Sequence, residues 1–169
     1  IPADRPQSDP VVVRPRADDI EYSVDHWGER FVVLHNTDAV DFRVDVADVA
    51  SPGRWEPFIH HVPGSRITQF ETFRDFGVMQ RWVNGQQVLS FVTGDGTETA
   101  IDVLDEPHEV EVDANPEWES TDVRISFQSL TVPTTVATVD RATGNMTVLK
   151  RTERSEEHTS ELQSLAYLV

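Results

Sequence analysis

Residues 67–104, ITQFETFRDFGVMQRWVNGQQVLSFVTGDGTETAIDVL, decide the fold class of this chain. The segment contains four short apolar-rich runs, at residues 67–72, 76–83, 87–92 and 99–104. Gly- and Asp-containing turns separate the runs. Asn84-Gly85 lies between the second and third, and Asn-Gly between two apolar runs is the strongest short-range signal for a β-hairpin. We therefore predict a four-stranded antiparallel sheet.

The same order of elements repeats on both sides of this segment. Strands are predicted before it at 20–24, 31–34, 42–46 and 55–59, and after it at 109–112, 123–127, 135–139 and 146–149. Four strands per unit, at a period of roughly 40–50 residues, are typical of propeller blades. We predict an all-β fold, a partial β-propeller of about three four-stranded antiparallel blades. A β-sandwich is the alternative, but it gives no reason for strands to repeat in fours.

The blades are expected near residues 11–62, 66–104 and 108–150, within a partial propeller domain at 1–153. The remaining residues, 154–169, read RSEEHTSELQSLAYLV, and the first eleven match the translation of a common sequencing-library adapter. We interpret this tail as non-native. The first residues, IPADRPQSDP, lack a basic region followed by an apolar stretch, so no signal peptide is predicted. Because the chain does not begin with Met, we also expect the start of the gene product to be absent.

Composition excludes several classes of partner. The chain has 30 acidic and 14 basic residues and a net charge of −16, which repels phosphate backbones, so no nucleic-acid partner is expected. The acids are spread along the whole sequence, which we interpret as adaptation to high salt; a GC-rich coding bias is the alternative. No apolar run is long enough to cross a membrane. The absence of Cys excludes disulfides and thiolate metal sites and fits a reducing cytoplasm.

Motifs for catalysis and metal binding are missing from the sequence. It has no G-x-S-x-G nucleophile elbow, no phosphate loop and no H-E-x-x-H. His60-His61 is the only histidine pair, and adjacent residues on a strand point to opposite faces. Asp95-Gly96-Thr97-Glu98 lacks the alternating ligands of an EF-hand. We predict no catalytic residue, no metal site and no cofactor, and the sequence identifies no substrate-binding residue.

Two further groups have a structural explanation beside a functional one. The carboxylate pairs Asp18-Asp19 and Asp105-Glu106 have the chemistry of an acid–base pair, but a chain with 30 acids forms such pairs by chance. The four tryptophans could bind a sugar by stacking against its ring, but packing between blades explains their presence more simply. They are Trp27, Trp55, Trp82 and Trp118.

The third unit carries a resemblance to a known family. Residues 104–153, LDEPHEVEVDANPEWESTDVRISFQSLTVPTTVATVDRATGNMTVLKRTE, and residues 20–44, IEYSVDHWGERFVVLHNTDAVDFRV, resemble the propeller of the prolyl oligopeptidase family of serine peptidases, in its oligopeptidase B branch. The motifs are Asp105-Glu106-Pro107, the run SFQSLTVP at 126–133 and the closing hairpin at Thr143-Gly144. In the middle unit, FETFRD at 70–75 and Asn84-Gly85 add to the likeness.

The resemblance implies a modular parent protein. Members join a seven-bladed propeller to an α/β-hydrolase domain with a Ser-Asp-His triad, and the propeller admits only short peptides. The oligopeptidase B branch cuts after Arg or Lys. The chain would hold blades five to seven, would be inactive alone, and would have as partners the missing hydrolase domain and short peptide substrates in the cytoplasm. Two alternatives stay open: a non-enzymatic propeller that serves as an interaction module, and an acidic carbohydrate-binding β-sandwich.

Overall fold

The structure, a computed structural model, describes residues 5–153. Within that range the chain forms twelve β-strands and no helix. Every strand predicted from the sequence is present. The strands are β1 Tyr22–Trp27, β2 Arg30–His35, β3 Arg43–Asp48, β4 Glu56–Ile59, β5 Ser65–Thr72, β6 Gly77–Val83, β7 Gln86–Val92, β8 Glu98–Ile101, β9 His108–Val112, β10 Asp122–Ser129, β11 Thr135–Asp140 and β12 Met146–Arg151.

The strands form three separate four-stranded sheets. Sheet one contains β1 to β4, sheet two β5 to β8 and sheet three β9 to β12, each in sequence order. All neighbouring strands are antiparallel. No ladder joins β4 to β5 or β8 to β9 within residues 5–153. This arrangement confirms the prediction of three propeller blades and rules out a closed barrel.

Apolar alternation explains why the sheets stack. On β6, Val78 packs in a core shared with sheet three, and its neighbour Met79 packs in a core shared with sheet one. On β7, Phe91 and Val92 divide between the same two cores. Because adjacent strand residues point to opposite faces, the apolar run of a central strand buries both faces of the sheet. Sheet two is therefore the middle layer of a stack.

The Asn84-Gly85 hairpin has the backbone that its sequence predicts. The φ angles are 51° at Asn84 and 79° at Gly85, and the flanking residues Val83 and Gln86 pair directly. Two consecutive positive φ angles define a type I′ turn, whose twist matches that of the flanking strands. The turn fixes the register of β6 against β7 and so decides which residues face each core.

The sequence-based strand boundaries differ from the structure most at two places, the ends of β1 and β8. Trp27, predicted to be part of a turn, is the last residue of β1, because it pairs with Arg30 and buries its ring. The eighth strand ends at Ile101 and not at Leu104, since residues 102–107 cross to sheet three. The predicted non-native residues 154–169 lie outside the described range. The described part of the chain also contains no helix long and apolar enough to span a membrane.

Candidate functional site

The first strands of sheets one and two form an acidic seam. β5 contacts β1 and β2, whereas no contact of similar extent joins β4 to β8. The first strands of sheets one and two therefore lie side by side. We use "acidic seam" for Asp25 and His26 of β1 together with Glu71 and Thr72 of β5.

Hydrogen bonds hold the acidic seam together. Asp25 Oδ2 accepts from the Thr72 backbone N–H at 3.2 Å and lies 2.7 Å from the Thr72 hydroxyl. The same hydroxyl lies 3.0 Å from the His26 carbonyl oxygen, so it donates to one acceptor at a time. Asp25 Oδ1 accepts from the His26 N–H at 2.8 Å. One carboxylate thus ties two sheets together while its charge stays at the seam.

Glu71 adds a second carboxyl group to the acidic seam. Burial raises the pKa of Glu71, and the nearby charge of Asp25 raises it further. Its one described side-chain partner is the amide of Gln69, whose Nε2 lies 3.4 Å from Glu71 Oε2. A positive group beside these two carboxyls would relieve their mutual repulsion. The seam therefore has the electrostatics of a cation-attracting surface.

A cleft of about 320 Å³ also lies between β1 and β5. Its walls include Glu21, Ser23, Phe42 and Arg66. The Arg66 guanidinium lies 4.7 Å from the centre of the Phe42 ring, so this basic group is held against an aromatic face. The cleft thus has one acidic and one basic side chain in its walls, Glu21 and Arg66.

Ser129, Glu106 and His108 lie together but lack the geometry of a catalytic triad. The Ser129 and Thr131 hydroxyls both donate to Glu106 Oε1 and lower the pKa of that carboxyl. The His108 ring nitrogen Nδ1 lies 2.7 Å from the Glu106 backbone carbonyl. The nucleophilic serine of a Ser-His-Asp triad donates to an imidazole, and among residues 5–153 no serine hydroxyl does so. The cluster anchors the β8–β9 connection to the β10–β11 loop.

The remaining residues singled out from the sequence do not converge on one another. His61 Nε2 lies 3.7 Å from Asp41 Oδ2, while His60 is exposed. Asp95 accepts from Thr93 and Thr97 inside its own turn, and these hydrogen bonds lower its pKa. Asp18 and Asp19 are exposed in the segment before β1, and Asp105 is exposed in the β8–β9 connection. Within the described range, no three His, Asp or Glu side chains are grouped for a metal ion.

The tryptophans only partly fulfil the expectation of packing between blades. Trp27 is buried between sheets one and two, against Phe58 and Phe70. Trp55 packs within sheet one against Tyr22 and His35, under the Arg14 guanidinium. The prediction of packing between blades is wrong for Trp82 and Trp118, which are 42% and 39% exposed.

A third region, which the sequence did not single out, is a cavity of about 750 Å³ at one end of sheet one. Its charged walls mix acids and bases: Glu29, Arg30, Asp48, Arg54 and Glu56. The Arg30 guanidinium is fixed by the Gly94 carbonyl oxygen, 2.8 Å away, and by the faces of Trp27 and Phe58. The hydrogen bond from Arg30 to Gly94 therefore joins sheet one to the turn between β7 and β8 of sheet two.

The three stacked four-stranded sheets define this chain as a propeller segment. Residues 1–152 match the prolyl oligopeptidase N-terminal β-propeller domain. The chain belongs to this family.

Comparison with individual proteins gives the same fold. Dipeptidyl aminopeptidase BI of Pseudoxanthomonas mexicana is 30% identical over 144 residues, which cover 83% of this chain and 20% of that protein. Oligopeptidase B from Trypanosoma brucei, with covalently bound antipain, superposes with a TM-score of 0.76 at 24% identity. The Leishmania major enzyme superposes with a TM-score of 0.78 at 19% identity. The two structural matches cover 83% and 86% of this chain, and it spans 22% of each enzyme.

Proposed function

We propose that this chain is the substrate-filtering part of the propeller of a serine oligopeptidase that cuts short peptides after Arg or Lys. The observation that carries the proposal is the acidic seam, where Asp25 and Glu71 lie close together, and we propose that this seam faces the propeller axis. The bond-breaking groups would belong to an α/β-hydrolase domain on the same polypeptide, through an activated serine and an oxyanion hole. Alone, the chain would bind and exclude but not cleave.

Electrostatics support a preference for cationic peptides. A low-dielectric passage lined by one sign of charge concentrates ligands of the opposite sign. The first strand of sheet three is also acidic, because Glu109 and Glu111 of β9 are both exposed. The likeness to oligopeptidase B supports the Arg or Lys preference, and the likeness to a dipeptidyl aminopeptidase supports peptide substrates in general.

The test uses the complete protein, expressed from the recovered reading frame. We expect a downstream G-x-S-x-G element and cleavage of an arginyl reporter peptide. Changing Glu71→Gln and Asp25→Asn together should lower kcat/KM for the arginyl reporter several-fold at low salt and leave a glutaminyl reporter unaffected. Asp18→Asn removes an exposed charge away from the seam and is the matched control.

Two outcomes would overturn parts of the proposal. A reading frame without a nucleophile elbow would make the protein a non-enzymatic interaction module. Equal effects of the double substitution on arginyl and glutaminyl reporters would remove the seam from substrate selection, even if the enzyme is a peptidase.

The cellular setting is a further part of the proposal. We propose a cytoplasmic protein adapted to high salt, on the basis of the net charge of −16 and the absence of Cys. Repulsion between surface carboxylates is screened beyond about 10 Å in 0.1 M salt and beyond about 3 Å in 1 M salt. A surface this acidic therefore destabilises the fold less as the salt concentration increases. The free energy of unfolding should rise between 0.1 and 2 M KCl. A constant or falling value would contradict salt adaptation.

A further inference from the structure

Residues 11–16 cross the face of sheet one that points away from sheet two, and we refer to them as the N-terminal strap. Tyr22 and His35 are direct cross-strand partners on that face, because the neighbouring residue Leu34 packs toward sheet two. The Tyr22 hydroxyl donates to the Arg14 carbonyl oxygen of the strap at 2.7 Å. The strap therefore lies against the outer face of sheet one.

Side chains, and no backbone ladder, hold the strap in place. The Arg14 guanidinium lies 4.3 Å from the centre of the Trp55 ring. The Val13 carbonyl oxygen passes close to the β3–β4 turn, 3.1 Å from where a Cβ at Gly53 would lie. Within residues 5–153, no backbone–backbone hydrogen bond joins the strap to sheet one. A segment held by so few contacts opens more readily than the strands beneath it.

Trp55 connects the strap to a buried histidine. The ring centres of Trp55 and His35 are 4.8 Å apart, and His35 is 3% exposed. The Tyr22 ring meets Trp55 edge-on, with centres 5.3 Å apart. Because Arg14 rests on the same indole, a movement of the His35 ring reaches the strap through one aromatic contact.

Hydrogen bonding fixes the neutral form of the His35 ring. The Thr37 N–H donates to His35 Nδ1 at 3.2 Å, so Nδ1 carries no hydrogen and Nε2 carries the one of the neutral ring. Nε2 lies 3.0 Å from Asp45 Oδ2, but without a well-directed hydrogen bond. A second proton would go to Nδ1, where it would face the Thr37 hydrogen. Protonation therefore requires the ring to turn or the Thr37 amide to move.

The charges around His35 also disfavour protonation. On β3, Asp45 Oδ1 already accepts from Arg43 Nε at 2.8 Å and from Arg43 Nη2 at 2.7 Å. Arg14 of the strap is the other charged group that acts on the ring in the described range, and Tyr22 lies opposite it on β1. Burial and the two arginines lower the pKa of His35, against the attraction of Asp45. The closed strap therefore favours the neutral ring, and an opened strap lets the ring take up a proton.

We propose that His35 is an acid-sensitive latch for the N-terminal strap: protonation of its ring at Nδ1 releases residues 11–16 from sheet one while the three sheets stay folded. Because opening is coupled to uptake of one proton, the ratio of open to closed strap should rise by up to about tenfold for each pH unit below 6.5. Release would expose the Tyr22 and Trp55 rings. The latch shares no residue with the acidic seam and does not depend on the proposed function.

The test is an NMR titration of the ¹⁵N- and ¹³C-labelled 169-residue chain from pH 8 to pH 5 at constant ionic strength. We expect the nuclear Overhauser contacts between the Arg14 side chain and the Trp55 ring to disappear as the His35 ring titrates, with one shared midpoint below pH 6.5. The backbone signals of Val78 and Leu89 in sheet two should not change over this range, which separates release of the strap from global unfolding.

Two substitutions separate the latch from a general effect of acid. In His35→Gln the side-chain oxygen can accept from the Thr37 N–H but cannot gain a charge, so the strap contacts should persist to pH 5. His60→Gln removes an exposed histidine and is the matched control, which should open as the wild type does. If His35→Gln does not fold, the wild-type titration alone decides, because the ring and the strap must share a midpoint. Strap contacts that persist while His35 titrates, that disappear together with the sheet-two signals, or that disappear equally in His35→Gln would each overturn the proposal.

Discussion

Replacing Phe76 by alanine tests whether sheets two and three are held together by a packed core. Phe76 is 1% exposed, and its ring stacks on Phe73 with centroids 4.5 Å apart. It also meets the edge of Phe91 at 5.5 Å, and the Arg141 guanidinium of sheet three lies 5.4 Å from its centre. Removing such a ring from a packed interior costs about 3–5 kcal/mol.

The assay is urea unfolding followed by tryptophan fluorescence and far-UV circular dichroism. With a denaturant dependence of about 2 kcal/mol per molar urea, the midpoint should fall by about 2 M. Phe76→Leu keeps most of the volume and should cost less than half as much. Val40→Ala, at a side chain that is 75% exposed, should change the free energy of unfolding by less than about 0.5 kcal/mol. A loss below 1 kcal/mol for Phe76→Ala would refute packing of the two sheets through this ring.

The other predictions concern backbone strain and pH. Gly85→Ala should lower the free energy of unfolding by about 1 kcal/mol, because φ at this position is 79° but no atom lies within 4 Å of the added Cβ. Gly77→Ala should lower it more, because the added Cβ would lie 2.6 Å from the Phe70 ring. Urea unfolding midpoints of the two variants test this order. Burial raises the pKa of Glu71, so ionisation of this side chain destabilises the fold. Glu71→Gln should therefore raise Tm at pH 7, and the difference from the wild type should vanish below about pH 4.5. An equal gain in Tm at both pH values would contradict this. Burial lowers the pKa of His35, so the Tm of the wild type should fall as the pH drops below 6.5. In His35→Gln this decrease of Tm with pH should be smaller. An equally steep decrease in the variant would contradict the prediction.

The architecture followed from the sequence because strand alternation and turn chemistry are local. The Asn84-Gly85 turn and the recurring groups of four strands were enough to predict three sheets of four. Boundaries were less certain where tertiary contacts decide them. The sequence places Trp27 in a turn beside Gly28. In the structure its indole N–H donates to the Arg74 carbonyl oxygen, 3.3 Å away, and this contact between two sheets holds Trp27 at the end of β1.

The candidate site was not predictable in the same way. Asp25 and Thr72 are 47 residues apart, and nothing local distinguishes Asp25 from the other acids of the chain. Their contact depends on how one sheet is rotated against the next, which strand periodicity does not specify. The Gln87 bond to Val110 has the same origin, since it joins strands of different sheets. Contacts between sheets thus define the acidic seam.

A map of strand pairing in solution would show directly whether the chain forms three separate sheets. Cross-strand Hα–Hα and amide contacts from NMR should pair β1 with β2, β2 with β3 and β3 with β4, and repeat this pattern in sheets two and three. We predict side-chain contacts between Met79 and sheet one and between Val78 and sheet three, with no backbone pairing of β4 to β5 or of β8 to β9. A ladder through either of those pairs would join two blades into one continuous sheet and contradict the stacked arrangement.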